Sequence, residues 1–193
     1  MPKITLHPDR YMFPRPTLLL GANVDGKPNF MAAGGGGVAN GKPPMISVPI
    51  QHHRYTLEGI MQNKTFSVNT PSVEQLKEVD YCGIVSGKDA DKVDVCGFKV
   101  FYGDLKTAPL IEQFPLNLEC RVMHILNLGS HALVIGQVEG SYISEGCLTD
   151  GKPDVEKIRP AIFNLEASSY LAFGGVVAKA YSIGRELIKA KQR

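Results

Sequence analysis

The stretch Pro16-Thr17-Leu18-Leu19-Leu20-Gly21-Ala22-Asn23-Val24 is an apolar run that ends at Asp25-Gly26, and Lys27 to Ala33 continues beyond it. Asp-Gly is a strong hairpin signal, because both central residues of the tight two-residue turn take positive φ. The run predicts two antiparallel strands joined directly. Elsewhere glycine (20 residues) and proline (13) are spread widely and punctuate short apolar runs, a pattern that favours a β-rich fold over a helix bundle. Pro43-Pro44 opens a third strand, Met45 to Ile50. Leu118, Cys120 and Val122 alternate with Glu119 and Arg121. Ala132 to Tyr142 replies with Leu133, Ile135 and Val138, across the turn Asn127-Leu128-Gly129-Ser130. Such alternation marks strands with one buried face.

Short helices interrupt this pattern. Thr56 is the expected cap of one, since its hydroxyl can accept from an unpaired first-turn N–H. Leu57, Ile60 and Met61 give that helix an apolar face, and the strand Thr65 to Asn69 follows. Ser72 to Val79 reads as a second helix, with Ser72 as cap and Leu76 and Val79 on one face. Asp80 to Lys92 is a helical or looped excursion. From Ala178 on, Ile183, Leu187 and Ile188 stand among Arg185, Glu186, Lys189 and Lys191, the pattern of a short amphipathic helix.

The 193 residues suit one domain. A net charge of +2 gives no argument for a nucleic-acid partner or a membrane surface. No apolar run approaches the roughly 18 residues of a spanning helix, and Met1 to Pro8 contain no signal-peptide core, so a soluble cytoplasmic protein is expected. Cys82, Cys96, Cys120 and Cys147 include no C-x-x-C pair. Buried free thiols are therefore expected, and no metal site.

Candidate binding residues cluster in three places. Arg54, two residues before Thr56, puts a guanidinium, a hydroxyl and free N–H groups at one helix start, which suits phosphate. His52-His53 lie beside it. Gly34-Gly35-Gly36-Gly37 lets a backbone pass close to a flat or charged ligand, or is simply a flexible loop. Gly36 to Lys42 fits G-x-x-x-x-G-K, and Gly34, Gly36 and Ala39 fit G-x-G-x-x-A. Both nucleotide motifs need a helix next, and Pro43-Pro44 deny it. Asn29, on the strand leading into the glycines, can donate to and accept from a heterocycle edge, or is a plain polar strand residue. Lys88 and Lys92 flank Asp89 and Asp91, a solvated charge run from which one lysine could reach a phosphate. His131 sits where a turn re-enters a strand. No Ser-His-Asp or paired-carboxylate constellation stands out.

Taken in order, Pro16 to Gly21, Val24 to Ala32, Ile46-Ser47-Val48, Arg54-Tyr55-Thr56, Phe66 to Asn69 and Asp80 to Gly87 carry a resemblance. Asp91-Lys92-Val93, Ala108 to Glu112, Leu118 to Val122, Gly129-Ser130-His131 and Ile135 to Val138 extend it. The chain resembles the flavin reductase-like family with the FMN-binding split β-barrel, in its flavoredoxin-like branch, over residues 13–174. The resemblance implies a mainly β fold, a six-stranded Greek-key barrel with helical excursions, with residues 175–193 as a tail on the barrel or a partner subunit. It implies FMN near a homodimer interface. Asn29 and the backbone of Ala32, Ala33, Gly34 and Gly35 would face the isoalloxazine. Arg54 and Thr56 would hold phosphate or ribityl oxygens and Lys92 the phosphate. His131 and Phe163 would close the site, and Ser47 and His53 join the cofactor-binding set. Relatives often carry a tryptophan where this chain has Gly34–Gly37, and this chain has none. The activity implied is an FMN-dependent oxidoreductase passing electrons from NAD(P)H or a protein donor. The alternatives are an electron carrier without turnover and a non-catalytic ligand-sensing barrel.

Overall fold

A computed structural model describes residues 1–190; residues 191–193, and with them Lys191 of the expected last helix, lie outside the described residues. The chain runs β1 (Leu18–Val24), β2 (Lys27–Ala33), β3 (Gly37–Asn40), β4 (Met45–Gln51), α1 (Tyr55–Asn63) and β5 (Thr65–Thr70). An excursion follows: α2 (Leu76–Ile84), α3 (Lys92–Cys96), β6 (Val100–Phe101) and β7 (Leu110–Ile111). The long hairpin β8 (Leu116–Asn127) and β9 (His131–Ile143) returns to the sheet. Then come β10 (Leu148–Thr149), β11 (Lys152–Pro153), α4 (Val155–Ile158), β12 (Ala161–Asn164), β13 (Ser169–Ala172) and α5 (Arg185–Ala190).

The fold is mainly β, as the sequence predicts. One antiparallel sheet holds the order β2-β1-β5-β8-β9-β4-β3. Its six longer strands are those of the expected barrel, and β3 adds a seventh at the edge. The β1–β2 hairpin turns at Asp25 (φ 49°) and Gly26 (φ 79°), the two positive φ values that an Asp-Gly turn supplies.

Two cores flank β1. Leu18, Leu20 and Ala22 join Met31, Val48, Ile50, Leu57, Ile60, Phe66 and Val134 inside the curved sheet. Leu19 faces the other way and packs with Phe30, Val79, Cys82, Phe98, Ile111 and Phe114 under α2 and α3. Every residue of β1 is buried. A strand covered on both faces reads as a continuous apolar run rather than an alternation, which is what Leu18 to Val24 shows.

Four expectations need correction. Met61, read with Leu57 and Ile60 on the buried face of α1, is exposed. Thr56 does not cap α1. The N-cap is Arg54, without a side-chain cap bond, and Thr56 lies buried inside the first turn. On β9 the buried residues are Ala132, Val134 and Gly136, not Leu133 and Ile135. Both parities of β9 are apolar there, and pairing with Val48 and Ile50 of β4 puts Val134 and Ala132 on the core side. Glu119, expected as an outward residue of β8, is fully buried. Its carboxylate accepts from the backbone N–H groups of Asp104 (3.1 Å) and Leu105 (2.9 Å) and from the Tyr142 hydroxyl (2.8 Å). Those partners meet the demand of a buried charge for hydrogen bonds. Ser72 does cap the next segment, through a capping box with Gln75. That first turn is 3₁₀, and α2 extends to Ile84.

Candidate functional site

A cavity of about 520 Å³ opens where the ends of β2, β3 and β4 meet α1, the start of β9 and the turn of the β12–β13 hairpin. Its floor is the backbone of Ala32 to Gly37. Gly34 has no room for a side chain, since a Cβ there would stand 2.4 Å from Phe163 Cδ1. Gly36 holds φ 146°, a value that side chains resist. Gly34 thus lies close against the Phe163 ring and Gly35 close against Pro49.

One wall is β4. Ser47, Pro49 and Gln51 line the cavity while Val48 and Ile50 enter the core, the period-2 division of a strand. Gln51 pairs in register with His131 of β9, so these two polar side chains stand side by side at the rim. The His131 ring shares a hydrogen bond with the Ser130 hydroxyl at 2.8 Å. The opposite rim comes from the N-terminal segment. Arg15 accepts from Phe163 N through its carbonyl (2.9 Å), and Pro16 bridges to Ile162. The Arg15 guanidinium bonds the carbonyls of Arg10 and Met12 and the Glu166 carboxylate.

Arg54 is the cation of the cavity floor end. It sits at the N-cap of α1, where unpaired N–H groups and the helix dipole add positive potential. Its guanidinium donates to the Gly83 carbonyl at 3.0 Å. The Lys92 ammonium lies buried behind, donating to the carbonyls of Phe30 (2.8 Å) and Cys82 (2.9 Å). Burial pushes Lys92 below its ordinary value, the nearby Arg54 charge pushes the same way, and the Cys82 and Cys96 thiols oppose. The last turn of α2 therefore supplies carbonyls to both cations, as a helix C-terminus does.

Of the expected cofactor-binding residues, Ala32, Ala33, Gly34, Gly35, Ser47, Arg54, His131 and Phe163 line this one cavity. Asn29, His53, Thr56 and Lys92 are not among the lining residues. Asn29 donates to Thr56 Oγ1 at 2.7 Å, and its carbonyl oxygen lies against Gly87, where a Cβ would stand 2.0 Å away. These two polar groups satisfy each other beneath the site. His53 is exposed on the β4–α1 turn. Lys88 pairs with Glu58 at 2.8 Å over the Tyr55 ring. Arg10, Met12, Arg15, Met31, Pro49, Gln51 and Leu165 also line the cavity. Of these, Pro49 and Gln51 follow from Ser47 by strand alternation, whereas the N-terminal residues carry no local signal.

The sequence matches the flavin reductase like domain family over residues 10–155. The chain belongs to that family. An uncharacterized protein of Archaeoglobus fulgidus is 32% identical over 146 residues, 75% of this chain and 81% of the relative. Among solved structures, the flavoredoxin from Methanosarcina acetivorans superposes with a TM-score of 0.93. It is 41% identical and the match covers 97% of this chain and 100% of that one. The flavoredoxin of Desulfovibrio vulgaris (Miyazaki F) gives a TM-score of 0.88 at 33% identity, covering 94% and 99%.

Proposed function

We propose that the protein binds FMN in this cavity and passes electrons from NAD(P)H or a protein donor through the flavin to an acceptor. The observation that carries this reading is a side-chain-free floor, Gly34 to Gly37, walled by Phe163 and Pro49 and ending at Arg54 on a helix N-terminus. A planar ring needs such a slot, and a terminal phosphate needs such an end. The volume of about 520 Å³ lies within the roughly 300–1,000 Å³ of cofactor pockets. FMN supplies the redox chemistry when bound, accepting and releasing electrons. Arg54 and the first N–H groups of α1 hold its phosphate. Ser47, Gln51 and His131 line the cavity and would offer hydrogen bonds to the flavin, and Phe163 would help exclude water from it.

The likeness to flavoredoxins supports a second reading, electron carriage to a protein partner without turnover. We also infer a homodimer, from the apolar surface of the C-terminal segment. Leu171, Phe173, Val176 and Val177 expose apolar side chains, Val177 almost completely (99%). A continuous apolar segment of this kind is uncommon on a monomer surface and suits a subunit interface. The four cysteines are free thiols, which suits the cytoplasm. No helix among the described residues is long and apolar enough to cross a membrane.

Acid release followed by chromatography, beside an NAD(P)H oxidation assay, tests the reading. FMN with turnover is expected. FMN without turnover selects the carrier, mainly FAD overturns the choice of flavin, and no flavin overturns both readings. Light scattering coupled to gel filtration is expected to give twice the 21.0 kDa of one chain. A mass of one chain removes the dimer.

A further inference from the structure

The excursion that carries Lys92 also carries a thiol pair outside the cavity. Cys82 is on the last turn of α2 and fully buried; Cys96 is the last residue of α3 and half-buried. Their sulfurs stand 4.0 Å apart. We propose that Cys82 and Cys96 form a redox-active dithiol, a modification site at which a hydroperoxide closes an intramolecular disulfide between α2 and α3.

The geometry favours closure. A disulfide needs its sulfurs about 2.05 Å apart, so the pair must approach by roughly 2 Å. The moving partner is α3, a five-residue helix that ends at Gly97 in the left-handed conformation, with Val95 and Gly97 exposed. Closure requires rotation of the Cys96 side chain and a small shift of this turn.

The environment also orders the two steps. Cys82 has no exposed surface, so the oxidant meets Cys96 first. The thiols hydrogen-bond each other, and Cys96 also donates to the Glu78 carbonyl at 4.0 Å. Burial holds both sulfurs in the thiol form, but the hydrogen bond to Cys82 and the Lys92 charge favour the Cys96 thiolate, against the Glu78 charge. In the first step the Cys96 thiolate attacks hydrogen peroxide. It becomes a sulfenic acid, and the leaving hydroxide takes up a proton to become water. In the second step the Cys82 thiol gives up its proton as its sulfur attacks Cys96 Sγ, the S–O bond breaks, and the departing hydroxide takes that proton to leave as a second water. Two thiols and one peroxide give one disulfide and two waters. The crosslink closes a ring of chain that contains the Gly83 carbonyl on which Arg54 rests. It thereby ties this modification to the neighbourhood of the cavity without belonging to it.

The test treats the purified full chain with hydrogen peroxide, then alkylates it in denaturant and maps its peptides without reductant. The wild type should lose two of its four thiols and about 2 Da of mass. The linked peptides should contain Cys82 and Cys96, with Cys120 and Cys147 still alkylated. Cys96→Ser should keep its three remaining thiols. Cys82→Ala should stop at a sulfenic acid on Cys96 that dimedone traps. Four alkylatable thiols after treatment, a link between any other pair, or direct passage of Cys96 to sulfinic acid in the wild type would each overturn the proposal.

Discussion

Replacing Gly34 with alanine tests the floor of the cavity at a single atom. The added Cβ would stand 2.4, 3.0 and 3.3 Å from Phe163 Cδ1, Cε1 and Cγ, where carbon atoms prefer about 3.5–4.0 Å. Overpacking of this kind costs roughly 1–3 kcal/mol. Phe163 is half-buried and can tilt, which places the cost near about 1.5 kcal/mol. Alanine also restricts the unfolded chain, a gain of about 0.4–1 kcal/mol. Gly34 is not among the positive-φ residues, so backbone strain adds nothing. The net effect is a loss of roughly 1 kcal/mol, read as a fall in Tm of about 2–4 °C. In a Phe163→Ala background the clash is gone, and the same substitution should stabilise. Urea unfolding of the four proteins of this cycle measures the coupling directly. If Gly34→Ala costs the same in both backgrounds within about 0.5 kcal/mol, Phe163 does not press on the glycine strip and the slot is not closed on that side.

Arg54→Ala should weaken FMN binding about ten- to a hundred-fold while leaving the apo melt nearly unchanged, since a charge-assisted hydrogen bond is worth roughly 1.5–3 kcal/mol; unchanged affinity in a fluorescence titration would remove Arg54 from the site. Lys92→Met should destabilise the apo protein by about 2–5 kcal/mol, because the carbonyls of Phe30 and Cys82 lose their shared donor in a buried place. An unshifted urea midpoint would show that the ammonium is dispensable to the fold. Tyr170 is held protonated, its phenol pushed up to about 12 by burial and by its hydrogen bond to Asp80. A raised folded value means that the native state keeps the proton longer, so this contribution is intact below about pH 10 and is lost as pH rises from there towards 12. Tyr170→Phe should flatten that alkaline decline, and an unchanged pH–stability curve would count against the anchor.

Much of the sheet was legible because its signals are local. Asp25-Gly26 sets a turn, and Leu18 to Val24 announces a strand buried on both sides. The glycine strip was legible as a place where backbone could line a cavity, as it does, but β3, which begins at Gly37, was not legible as a strand: it is exposed throughout, so no alternation marks it. Thr56 illustrates a different failure. Its residue type suits a cap, but the chain already turns at Arg54, and Asn29 from a strand distant in sequence claims the hydroxyl. Glu119 fails for the same reason, because its partners Asp104, Leu105 and Tyr142 are assembled only by the tertiary fold. The rim at Arg10, Met12 and Arg15 depends on pairing with residues some 150 positions away, beyond the reach of any periodicity.

Because β1 lends Leu20 to one core and Leu19 to the other, neither core can loosen without withdrawing a wall from its neighbour. The excursion of α2 and α3 is thus no detachable appendage. Its melting exposes the outer face of the same strand whose inner face lines the curved sheet. In native-state hydrogen exchange the amides of Leu19, Leu20 and Ala22 should open only with the whole molecule, as one cooperative class that spans both sides of the sheet.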